Sequence, residues 1–77
     1  MPAGPMDASS LARLLFQWAR KESKMKVMPA VERELIIQAL VETGGNQVQA
    51  AKLLGITRAT LRKRIEKFSI KQQLEVH

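Results

Sequence analysis

At 77 residues the chain has room for one small domain and none for a catalytic domain beside it. It contains no cysteine, so neither a disulfide nor a thiolate zinc site reinforces so small a core, which leaves oligomerisation as the way to enlarge it. Thirteen Lys and Arg against seven Asp and Glu leave a net charge of +6, a balance that suits a polyanionic partner.

The start, Met1-Pro2-Ala3-Gly4-Pro5, lacks the basic and apolar regions of a signal peptide. Residues 1–8 read as a disordered linker or a cloning remnant. No apolar stretch approaches the roughly 20 residues of a membrane span, and the lack of cysteine fits a reducing compartment. These features predict a cytoplasmic protein that uses no membrane.

The first helical pattern runs from about Ser9 to Lys24. Asp7, Ser9 and Ser10 are each candidate caps, because their oxygens accept unpaired first-turn amides. Leu11, Leu14, Leu15 and Trp18 recur at i, i+3, i+4 and i+7, one apolar stripe. Phe16 lies off it and widens the apolar surface. Arg20, Lys21, Lys24 and Lys26 follow at the C-terminal end, where cations suit the helix dipole.

Met28-Pro29 marks a break, with Pro29 placed as the first residue of a second helix that continues to about Thr43. Val31, Leu35, Ile36, Ala39 and Leu40 form its inward face; Ile37 and Val41 sit off that face. Glu32 and Glu34 are read as first-turn acids favoured by the dipole. Gly44 and Gly45 end the helix, one of them in the left-handed conformation.

Asn46 caps a third helix, Gln47 to Leu54. Gly55 supplies a turn with positive φ, Ile56 fills the angle, and Thr57 caps a fourth helix from Arg58 to about Phe68. Leu61, Ile65 and Phe68, at i, i+4 and i+7, anchor this helix inward. Ala50 and Ala51 fall where the third helix must cross the fourth, and their small side chains permit close approach. Residues 9–70 thus form one all-α domain of four helices, with a flexible tail at 71–77.

Two short helices around a glycine turn, the second one cationic, is the layout of a helix-turn-helix. From Arg58 to Lys71, six cations (Arg58, Arg62, Lys63, Arg64, Lys67 and Lys71) face only Glu66, a balance of +5. Such concentration is the footprint of a polyanion binder, the alternative being a solvated basic face. Arg58 and Arg62, one turn apart, share the floor of a groove, where Arg pairs bidentately with guanine. Thr60 faces a base edge or a thymine methyl, and Lys63, Arg64 and Lys67 face phosphates. Asn46, Gln47 and Gln49 lie near the N-terminus of the third helix, either as phosphate contacts or as a plain cap and solvated surface.

Leu11, Leu14, Leu15, Phe16, Trp18, Ile37 and Val41 offer more apolar surface than so small a fold covers, which predicts a homodimer. The alternative is that Trp18 and its neighbours close the core of a single copy. An enzyme is not expected: His77 is the only histidine and stands at the last position, and no pair of acids is isolated by spacing. No cofactor or metal is expected either. A rival class is a basic helical module for an acidic partner or lipid surface; unlike DNA binding, it would not require Arg58 and Arg62.

The segment from Gly44 to Arg64 resembles the Fis-type helix-turn-helix. Gly45-Asn46-Gln47, the paired Ala50-Ala51, Leu54-Gly55-Ile56 and Thr60-Leu61-Arg62-Lys63 match in register, and the likeness covers roughly Val31 to Ile70. That type includes the Fis nucleoid protein and the C-terminal domain of NtrC-like enhancer-binding activators. The resemblance implies a four-helix homodimer joined through its first two helices, and bent DNA at a pseudo-palindromic site. It also implies DNA contacts at Asn46, Arg58, Thr60, Arg62, Lys63 and Arg64. Two contact positions depart from the Fis pattern, Thr57 where Fis has asparagine and Val48 where it has threonine; Thr57 is retained as an expected DNA contact, and the departures imply a different preferred site.

Two versions of this likeness remain open: a free-standing nucleoid protein with weak sequence preference, or the DNA-binding domain of an activator. No hairpin-like alternation precedes Asp7, and the linker-like start suits the second. An activator of that kind has an upstream ATPase domain that contacts the alternative sigma factor, with a Gly-Ala-Phe-Thr-Gly-Ala loop that this chain lacks. The chain alone is therefore expected neither to hydrolyse ATP nor to activate transcription.

Overall fold

The computed structural model describes residues 7–70, and within them every regular element is an α-helix. The elements are α1 (Ala8–Lys21), α2 (Val27–Glu42), α3 (Gln47–Leu54) and α4 (Arg58–Lys67). They belong to two compact units, one within residues 1–31 and one within 32–77, with the boundary inside α2. The linker assigned to residues 1–8 is described only at Asp7 and Ala8, and the tail at 71–77, with Lys71 and His77, lies outside the described residues.

In the first unit, Asp7 is the cap of α1: its carboxylate accepts from the Ser10 amide at 2.9 Å. That bond holds the Asp7 pKa below its ordinary value, and the Ser10 hydroxyl adds to the effect. Asp7 and Ala8, read as the end of a linker, are thus the cap and first residue of a helix. At the other end α1 stops at Lys21, not Lys24: the Glu22 amide bonds the Trp18 carbonyl at 2.7 Å, and the Ser23 hydroxyl then accepts from the Met25 amide at 3.0 Å. A local side-chain bond of this kind competes with the helical ladder. Ala19 and Ala30 are buried, whereas Leu11, Leu14 and Phe16 are exposed, and Leu15 and Trp18 are half-buried.

Helix α2 begins at Val27, two residues before the predicted start. Proline lacks an amide hydrogen, but any first-turn position tolerates it, because those amides have no helical acceptor. Pro29 therefore sits third in the helix, not first. Glu32 falls in the second turn, beyond the strongest part of the dipole, and the first turn holds no acid.

In the second unit, Ile36, Ala39 and Leu40 of α2 are buried together with Ala50, Ala51, Leu61, Ile65, Phe68 and Ile70. Leu35, assigned inward, is instead 50% exposed. Helix α2 is apolar around much of its circumference in this stretch, so periodicity does not single out the buried face. The predicted burial of Ala50 and Ala51, and of Leu61, Ile65 and Phe68, agrees with the structure.

The three helices here end alike. After α2, the Gly45 amide bonds Leu40 O at 2.8 Å and the Gly44 amide bonds Val41 O at 3.2 Å. After α3, Ile56 bonds Ala51 O at 3.1 Å and Gly55 bonds Lys52 O at 3.3 Å. After α4, Ile70 bonds Ile65 O at 3.0 Å and Ser69 bonds Glu66 O at 3.2 Å. Each is a Schellman closure, which satisfies orphan carbonyls and needs a left-handed residue. Gly44 and Gly55 fill that place with φ of 64° and 79°; Ser69 fills it with φ of 53°. Gly45 is also positive, so both glycines, not one, are left-handed.

Candidate nucleic-acid interface

Two caps set the angle of the helix pair. Asn46 Oδ1 accepts from the Gln49 amide at 3.1 Å and starts α3. Thr57 Oγ1 accepts from the Thr60 amide at 3.1 Å and starts α4. Between them Gly55 reverses the chain without a Cβ penalty. Helices α3 and α4 then pack together over Ala50, Ala51 and Leu61, all buried. A larger side chain at either alanine would push α4 away, since cores of this density accommodate added methylenes poorly.

With 3.6 residues per turn, the buried Leu61, Ile65 and Phe68 divide the surface of α4 into two flanks. On the first flank Arg58 and Arg62 line an open depression with Gly45, Asn46, Gln47 and Val48, at the N-terminal end of α3. No acid lines this depression, and the positive end of the α3 dipole adds to the two guanidinium charges. Neither arginine is in an ion pair with any described residue. Thr60 and Arg64 occupy the opposite flank, and Lys63 is exposed on the outer face. The Thr57 hydroxyl stands 2.9 Å from that of Thr60, so both are held at the start of the helix. The Lys67 ammonium lies 5.5 Å from the centroid of the Phe68 ring.

Arg64 is the one predicted contact held in an ion pair among the described residues. Its Nε donates to Glu32 Oε2 at 2.9 Å, bridging α4 to α2. Sequence reasoning assigned Glu32 only to the dipole of its own helix. The pair is 32 residues apart, so no local period signals it. Asn46, Arg58 and Arg62 are thus gathered in one depression, whereas Thr60, Arg64 and Lys67 stand away from it.

An arrangement of two capped helices around a left-handed glycine, with a cationic second helix, defines a helix-turn-helix domain. Residues 27–68 match the family model described as bacterial regulatory protein, Fis family. The chain belongs to that family. It is 51% identical over 45 residues to the DNA-binding transcriptional regulator NtrC of Azospirillum brasilense, covering 58% of this chain and 9% of the relative. It is 46% identical over 43 residues to the transcriptional regulatory protein ZraR of Salmonella typhi, covering 56% and 10%. The propane 2-monooxygenase operon transcriptional activator MimR of Mycolicibacterium goodii is 40% identical over 47 residues, covering 61% and 8%. The matched segment is thus about a tenth or less of the length of these relatives. No solved structure gives a significant match.

Among the described residues, no helix is long and apolar enough to cross a membrane. No group of three or more His, Cys, Asp or Glu among them is placed to hold a metal ion.

Proposed function

We propose that the chain binds double-stranded DNA as a homodimer, as the enhancer-site-recognising domain of a bacterial transcriptional regulator related to NtrC and ZraR. One observation carries the reading: Arg58 and Arg62 line an acid-free depression with the N-terminal end of α3. A helix N-terminus favours a phosphate, and a guanidinium pairs bidentately with guanine in the major groove. With α3 braced on the backbone through Asn46, α4 enters the groove. Arg58, Arg62 and Thr60 then meet base edges, while Lys63, Arg64 and Lys67 meet phosphates. Thr57 orients Thr60 and closes the first turn.

Dimerisation is supported by the apolar residues left uncovered in each unit. Leu14 of α1 is 52% exposed and Val41 of α2 is 56% exposed, with Leu11 also exposed and Leu15, Trp18 and Ile37 half-buried. Large apolar side chains left exposed in this way favour an interface, and a two-fold dimer would meet a two-fold operator. In the parent regulator a separate ATPase domain would supply activation, in the bacterial cytoplasm on the nucleoid. The reading requires no cofactor, no metal and no membrane.

Selection of bound sequences from random duplexes at near-physiological salt tests this. An enriched inverted repeat is expected, and replacing both Arg58 and Arg62 by alanine should weaken binding to it about a hundredfold or more. A weak A·T-biased preference would favour a shape-reading nucleoid protein instead. Absence of any bound duplex would overturn the reading.

A further inference from the structure

The Glu32–Arg64 pair is the only described ion pair that joins two helices, and it places an acid against the cationic helix. A carboxylate at a DNA-binding surface opposes phosphate approach, so its presence there calls for another task. The geometry indicates one. Glu32 takes the Nε hydrogen of Arg64 at 2.9 Å. The two Nη groups carry four further donors, and none bonds to a described residue. The Arg64 side chain is 36% exposed and that of Glu32 39%, so the pair stands at the surface. Arg64 lies on the flank of α4 opposite Arg58 and Arg62, at the far wall of any groove that the helix enters.

We infer that Glu32 is a positioning residue for DNA binding: it holds Arg64 through Nε so that the Nη edge is presented to a backbone phosphate. This rests on the proposed DNA-binding function. A free arginine loses side-chain freedom when it is ordered on a phosphate, and an arginine already held by a carboxylate loses less. The phosphate contact is then stronger with the acid present than without it, although the acid itself repels the phosphate.

The test is a double-mutant cycle in the full chain, with the duplex recovered by selection as the probe. Affinity is measured against salt for the wild type, Glu32→Ala, Glu32→Gln, Arg64→Ala and the Glu32→Ala/Arg64→Ala double variant. Arg64→Ala is expected to reduce the slope of log affinity against log salt by about 0.9, one phosphate. Glu32→Ala is expected to weaken binding about three- to tenfold, the loss of one preordered side chain. Glu32→Gln keeps an acceptor for Nε and should recover part of that loss. In the Arg64→Ala background, removing Glu32 should change nothing or tighten binding.

Thermal unfolding of each variant separates folding from positioning, with binding read well below every midpoint. Tighter binding by Glu32→Ala in the wild-type background would overturn the inference, because the acid would then act only by repulsion. Equal weakening in both backgrounds would also overturn it, because the effect would not run through Arg64. A wild type that binds no duplex would overturn the DNA-binding reading itself, a different outcome from a bound duplex indifferent to Glu32.

Discussion

Helix α1 and the α3–α4 pair spend their apolar residues in opposite ways. Helix α1 carries the most regular apolar stripe in the chain, yet Leu11 and Leu14 of that stripe are exposed and Leu15 and Trp18 only half-covered. Helix α4 is mostly charged, yet its large apolar residues Leu61 and Ile65 and its C-cap Phe68, in register, are all buried. An apolar stripe shows that a face seeks cover; whether cover exists depends on what packs there. In the helix-turn-helix that cover is present, and Leu61, Ile65 and Phe68 are buried together with Ala50 and Ala51. The exposed part of α1 is where the proposed second copy would pack.

The sharpest test of this contrast substitutes one leucine in each region. Leu61→Ala empties a site with 0% exposure and should cost about 2–5 kcal/mol in denaturant unfolding, transfer and cavity terms together. Leu14→Ala should change the stability of a single copy by no more than about 0.5 kcal/mol. In a dimer it should also raise the dissociation constant and make the melting temperature depend less on concentration, which sedimentation and unfolding at two concentrations would reveal. Equal losses at the two positions, independent of concentration, would abolish the contrast.

A smaller effect sharpens it at the turns. Gly55→Ala meets no atom within 4 Å, so its cost is the left-handed φ alone, about 1 kcal/mol in thermal unfolding. Ser69→Gly should do the reverse at the end of α4, stabilising by about 0.5–1 kcal/mol, because serine already occupies φ of 53°.

The smallest effect belongs to α1. The bond from the Ser10 amide lowers the Asp7 pKa in the folded chain. The cap is therefore fully present above the ordinary Asp value and is lost as pH falls through the lowered one. Helix content followed by circular dichroism should decline over that acid window in the wild type. In Asp7→Asn, whose side chain caps without titrating, that component should be absent.

Family membership and the local geometry of the site were legible in the residues because both depend on short-range chemistry. Asn46 and Thr57 cap because their oxygens reach amides three residues on, and Gly55 turns because it lacks a Cβ. The stripe Leu61, Ile65 and Phe68 is a period of one helix. Even the errors at helix ends were local: Pro29 sits third in α2 because the whole first turn spares its missing amide, and Ser23 ends α1 by capturing the Met25 amide.

What the tertiary structure alone decided is non-local. Leu35 and Ile36 are adjacent and equally apolar, and only packing in the folded chain determines that Ile36 is buried and Leu35 exposed. Arg64 reads as a free phosphate contact until Glu32, 32 residues away, is brought to 2.9 Å from its Nε. The gathering of Arg58 and Arg62 around the end of α3 likewise needs the fold. Caps, turns and periods act within about one helical turn, so the sequence determines them directly. A salt bridge between helices and the choice of buried face depend on how rigid elements pack, which no local pattern encodes.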